Sequence, residues 1–139
     1  MLRSIVALSL VITSLSMVLG PRTSQALSGP ALEGLASWYS HEDTGVTPWT
    51  ANAEPFDDQE LTCAIWGIPF NTYLKVTNMA TGEAVIVRVN DRGPAERLVV
   101  AEQRVIDLTK AAFARIAEPR QGLVWVRVEF VRPAVLEPL

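Results

Sequence analysis

Five residues at the end of an alternating segment, Asn90-Asp91-Arg92-Gly93-Pro94, set a carboxylate and a guanidinium side by side where a strand must stop. Val85, Val87 and Val89 fall on one face of an extended chain and Arg88 and Asn90 on the other, the period-two pattern of a half-buried strand. Asn, Asp and Gly tolerate turn dihedrals and Pro94 cannot continue a ladder, so a tight turn alone would account for the stretch. A second acidic segment adds chemistry. Residues 41–60, HEDTGVTPWTANAEPFDDQE, carry Glu54, Asp57 and Asp58 in a polar run punctuated by Pro48 and Pro55. Connections in small domains are usually about 4–6 residues, so a loop this long points to a functional one. Carboxylates from two distant segments that share one groove can do acid–base work, with Asp91 as the acid and Glu54 beside it.

Other chemistries find little support. One histidine, His41, and one cysteine, Cys63, without a carboxylate cluster at ligand spacing do not make a zinc or iron site, and neither metal nor cofactor is expected. Cys63, in LTCAIW, reads as a small buried hydrophobe, and His41 as a surface residue. A single cysteine excludes an intramolecular disulfide, so stability must come from packing or from closing a sheet on itself. The formal net charge of −3 over 139 residues makes nucleic acid an unexpected partner.

Residues 1–26 read as a secretory signal peptide: Arg3 near the start, an apolar stretch from Ile5 to Leu19, and the small residues Ser24 and Ala26. The protein is thus expected to be exported, to the periplasm or beyond. A membrane span needs roughly 20 apolar residues, more than this stretch supplies, and an uncleaved N-terminal anchor is the alternative reading. A lipoprotein needs a cysteine at the cleavage point, and Cys63 lies far beyond it, so no lipid anchor is expected.

The remaining chain must position the acids. After a linker, 27–33, strands are predicted at 34–40, 72–78, 84–90 and 122–131, the last alternating Val124, Val126, Val128 and Phe130 with polar or bulky neighbours. LTCAIW, 61–66, is a short buried strand or a helical turn. NMATGEA makes a hairpin turn with Gly82 free to take a positive φ. Residues 97–108 carry a short extended piece ending at Asp107, which is placed as the N-cap of a helix of about ten residues, LTKAAFARIA, that Pro119 ends. Several short strands, one late helix and no βαβ rhythm predict a mainly β chain closed into a small barrel over 34–131, with a tail at 132–139.

Taken together and in order, GLASWYS, TANAEPFDD, LTCA, GIPFNTYLKVTN, VNDRGP and RVIDLTKAAF resemble the rare-lipoprotein-A family, the septal-ring lytic transglycosylase type, from about Gly34 to Phe130. The resemblance implies a six-stranded double-psi β-barrel with one or two short helices. It also implies non-hydrolytic cleavage of peptidoglycan glycan strands, between the muramic acid and glucosamine sugars, leaving 1,6-anhydro ends. By position Asp91 matches the family's essential acid, Glu54 a second functional carboxylate and Asp57 an acidic residue near it. Trp49, Tyr39 and Arg92 are the expected substrate contacts, because sugar rings offer C–H faces to aromatics. The rival reading is a non-catalytic, expansin-like wall-binding module.

In the lytic reaction the sugar's own C6 hydroxyl attacks, so one carboxyl can act first as acid and then as base and no water need be activated. An aspartic acid of ordinary pKa, about 3.9, does not keep its proton near neutrality. Glu54 is expected to raise the proton affinity of Asp91 or to hold a sugar hydroxyl, with Arg92 turned elsewhere. Two departures from the family pattern stand out: Ile65 where a histidine usually follows LTAA, and Ala53 where a glycine usually precedes the glutamate.

Overall fold

A computed structural model describes residues 30–131, and the expected signal peptide and C-terminal tail lie outside them. Four strands come first and helices enter only among the last elements: β1 Leu32–Tyr39, β2 Thr62–Ala64, β3 Tyr73–Asn78, β4 Ala84–Asp91, α1 Glu96–Glu102, β5 Arg104–Thr109, α2 Lys110–Ala114 and β6 Val124–Phe130. They close into a barrel in the order β1-β5-β2-β4-β3-β6. The pairs β1–β5 and β2–β4 are parallel and the other four antiparallel. Closure leaves no unpaired edge, which is how a chain without a disulfide satisfies its strand backbones. The double-psi barrel is therefore the observed fold.

The core follows from strict alternation. Leu74, Val76, Val87, Val89, Ile106, Leu108 and Val126 are all 0% exposed, and each such side chain contributes about 1.5–3 kcal/mol relative to exposure. Phe113 and Ile116, from α2 and the turn after it, plug the same cluster. LTCAIW resolves as a strand: Thr62, Cys63 and Ala64 are all buried between β4 and β5. Cys63 is the small hydrophobe expected, and burial pushes its thiol up to about 12.

The structure corrects three local expectations. Strand β1 begins at Leu32, inside the stretch read as linker. The short extended piece expected within 97–108 is β5, but the residues before it form the unexpected helix α1, and Gln103, with a φ of 55°, turns the chain between the two. Val99 and Val100 favour strand conformation and α1 buries none of its residues, so no apolar stripe announces a helix. Asp107 does not cap α2: it lies within β5, and Thr109 is the cap, accepting a hydrogen bond from the Ala112 amide at 3.4 Å.

Gly34 marks the tightest approach in the barrel wall. The β1–β5 register slips between Leu35 and Ala36, and a Cβ on Gly34 would lie 2.4 Å from Val105 Cγ1 and 2.8 Å from the Gln103 carbonyl oxygen. Gly34→Ala is expected to destabilise the protein by about 1–3 kcal/mol, the usual cost of overpacking, read as a lower urea midpoint with an unchanged slope.

Candidate active site

The strand register puts the acids in place. Ala64 of β2 pairs with Asp91 of β4 on one side and with Asp107 of β5 on the other, and Asp107 in turn pairs with Ser37 of β1. Ser37, Asp107, Ala64 and Asp91 thus form one row across four strands, with the two acids separated by two strand spacings, about 10 Å between Cα atoms. The β2–β4 register slips between Cys63 and Ala64, so Asp91 rather than Asn90 stands opposite Ala64. Such an irregularity re-aims a side chain at the end of a ladder. Asp91, Ala64 and Asp107 all line a cleft of about 460 Å³. Its walls come from the long loop, through Thr44, Thr47 and Trp49, and from Ala95 and Leu98 at α1.

Asp91 is held from three directions. The Ala51 and Arg92 amides each donate to Oδ1 at 2.9 Å, and the Tyr39 hydroxyl donates to Oδ2 at 3.3 Å. Tyr39 stacks on Phe56 at 4.8 Å between centroids, so its hydroxyl is fixed by packing, and burial with the nearby Asp91 charge pushes its pKa upward. Arg92 lines the cleft, but its guanidinium turns away from the acid. It donates to the carbonyls of Ile65 and Asp91 and lies 3.7 Å over the Phe70 ring. Trp49 is the most open large aromatic of the cleft, 61% exposed.

Asp107 is the acid that sequence reading assigned elsewhere. It accepts a short hydrogen bond from Ser37 Oγ. Burial raises its pKa above the ordinary carboxylate value and outweighs the lowering from Ser37 and Arg104, with the Asp91 charge adding to the rise. Gly93 leaves room for it: a Cβ there would stand 3.0 Å from Asp107 Oδ2. The clue in the sequence was the alternation of Ile106 and Leu108 around Asp107, the strand pattern rather than the cap pattern.

Two expected site residues do not join the cleft. Glu54 is gripped by Arg88 through two parallel bonds of 2.8 and 2.9 Å and receives Asn90 Nδ2 at 3.3 Å, which hold its carboxyl down to about 2. Ionised at neutral pH and absent from the cleft lining, it does not face Asp91; its partner Arg88 lies on the face of β4 opposite the core valines. Asp57 is exposed and accepts from the Gln59 amide at 2.9 Å, closing its own turn. His41 stays at the surface, 3.4 Å from Asp58 and tilted against Phe56. Ile65 is 1% exposed and packs in the core. Ala53 takes a φ of 64°, the conformation that favours glycine. No group of three or more potential metal ligands occurs among the described residues.

Residues 31–128 match the family model described as lytic transglycolase, and the chain belongs to this family. It is 40% identical over 103 residues to the endolytic peptidoglycan transglycosylase RlpA of Campylobacter jejuni, covering 74% of this chain and 35% of that protein. To the protein of the same name in Pseudomonas aeruginosa it is 41% identical over 100 residues, covering 72% and 27%. The match thus spans about a third of these relatives' length. Among solved structures the Streptomyces papain inhibitor superposes with a TM-score of 0.58 at 24% identity, over 76% of this chain and 98% of that one. An expansin of Clavibacter michiganensis gives 0.56 at 23%, over 76% and 52%. These two likenesses concern the barrel fold.

Opposite pH responses are expected from the two acids displaced from their assigned roles. Glu54, with its lowered pKa, stabilises the fold above about 4.5, and that contribution fades as pH falls through about 2. Glu54→Gln therefore costs about 1 kcal/mol at neutral pH, a partly exposed pair being screened by solvent, and nothing near pH 2. Asp107, with its raised pKa, disfavours the fold once ionised, so Asp107→Asn raises the melting temperature at neutral pH and the gain vanishes in acid. Thermal melts of both variants from pH 2 to 8 check the two signs.

Proposed function

We propose that the protein is a lytic transglycosylase of the cell envelope that cleaves peptidoglycan glycan strands, with Asp91 and Asp107 as the acid–base pair. The row from Ser37 through Asp107 and Ala64 to Asp91 carries this reading, because it sets two carboxyls on the floor of one open cleft. The names of the RlpA relatives support the substrate, and the expected signal peptide supports export.

Burial favours a proton on Asp107, which lines the same cleft as Asp91. Asp91, oriented by the Ala51 amide, the Arg92 amide and Tyr39, meets the substrate. The carboxyl proton passes to the glycosidic oxygen as the bond from C1 to that oxygen breaks. The C6 hydroxyl of the same sugar then forms the new bond to C1 and gives its proton to the carboxylate. The proton count is restored and no water is consumed. Intramolecular attack needs orientation above all, which the cleft supplies by holding the ring between its two walls. Glu54 acts as a positioning residue: by gripping Arg88 it fixes the loop whose Ala51 amide holds Asp91.

The protein incubated with peptide-free glycan strands should release products ending in 1,6-anhydro sugar, read by mass spectrometry. Asp91→Asn should abolish them, and Asp107→Asn should slow release by about 10²-fold or more, the usual scale for losing an acid–base group. Activity should decline as pH rises and Asp107 loses its proton. Reducing ends without anhydro sugar would mean hydrolysis, and binding without products would mean an expansin-like module.

A further inference from the structure

We propose that α1 is a selectivity wall of the cleft and that Leu98 reads the methyl of the substrate's 2-acetamido groups, an inference that rests on the glycan reading above. The two walls differ in chemistry. The loop side mixes the hydroxyl-bearing Thr44 and Thr47 with the apolar Val46, Trp49 and Phe56, whereas α1 and the residue before it bring Ala95 and Leu98, neither of which has a polar side chain. The helix's charged residues Glu96, Arg97 and Glu102 are absent from the cleft lining, and Glu96 borders a separate outer groove with Trp66, Val99 and Val100.

Nothing in the core requires this helix. It spans seven residues, buries none of them and lacks a side-chain N-cap. A helix so short is marginal in isolation. Its supports lie at its two ends. Trp66 Nε1 donates to the Pro94 carbonyl at 2.7 Å, and the Leu35 amide donates to the carbonyl of Gln103, the left-handed residue after the helix, at 2.9 Å. Leu98 is thereby held at the lip, half-buried, facing the space that Trp49 faces from the other side.

A sugar between these walls finds side-chain hydroxyls on the loop side and none on the α1 side. A 2-acetamido methyl laid against Leu98 loses only apolar contact with water, which is favourable. A plain hexose would turn a C2 hydroxyl to the same wall and lose its hydration without gaining a partner. Both sugars of a peptidoglycan strand carry the acetamido group, and glucose polymers do not.

Isothermal titration of the intact protein with the hexamers of N-acetylglucosamine and of glucose isolates this group, since the two differ only at C2. The N-acetylated hexamer should bind about tenfold tighter or more, a difference of about 1.4 kcal/mol. Leu98→Ala should bring the ratio towards one by weakening the N-acetylated ligand, while Leu98→Met, which keeps the apolar volume, should retain the preference. Trp66→Phe, which keeps a ring but loses the bond to Pro94, should reduce it. Equal affinities in the parent protein, no binding of either hexamer, or a preference unchanged in folded Leu98→Ala would overturn the assignment. The titration reads no cleavage, so a failure of the lytic assay leaves this result standing and the two ideas fall separately.

Discussion

The fork between Arg88 and Glu54 is the constraint on which the site depends. A loop of some twenty residues with almost no regular structure has no reason of its own to lie over the barrel mouth. Arg88 projects from β4 on the face opposite the core valines, and its two bonds to Glu54 and a third to Asn71 at 2.9 Å tie three segments together. The Ala51 amide then reaches Asp91 from the anchored loop. One ion pair therefore connects the strand that carries the acid to the loop that orients it.

The barrel contributes a different kind of precision. Parallel pairing of β1 with β5 and of β2 with β4 sets Ser37, Asp107, Ala64 and Asp91 in one row, so the acids are placed by backbone hydrogen bonds rather than by flexible side chains. Small residues keep the row open. Ala64 separates the acids without filling the cleft, and Gly93 leaves space for the Asp107 carboxyl. The environments of the carboxylates then diverge: the guanidinium holds Glu54 ionised, and burial favours a proton on Asp107. The proposed roles follow that divergence, with Glu54 as a positioning residue and Asp107 in proton transfer.

Much of this was legible in the residues. The alternation of Val85, Val87 and Val89 and of Val124, Val126 and Val128 defined strands because a pleated chain buries every second side chain. The turn chemistry of Asn90 to Pro94 put Asp91 at a strand end, and the density of acids, prolines and glycine in 41–60 marked a loop. Helix α1 was hidden because it rests on end contacts rather than on a buried stripe, and Asp107 because an aspartate before a helix-forming run mimics a cap.

The sequence by itself determined the closed β architecture, the buried Cys63 and the acid at the end of β4, since each depends on local periodicity and residue chemistry. Tertiary structure alone decided which carboxylate faces Asp91. Glu54 and Asp107 are comparable acids along the chain, and only strand register and a competing arginine send one to the outer face of β4 and the other to the cleft floor. Register is a relation between segments far apart in sequence, so no pattern within either segment encodes it.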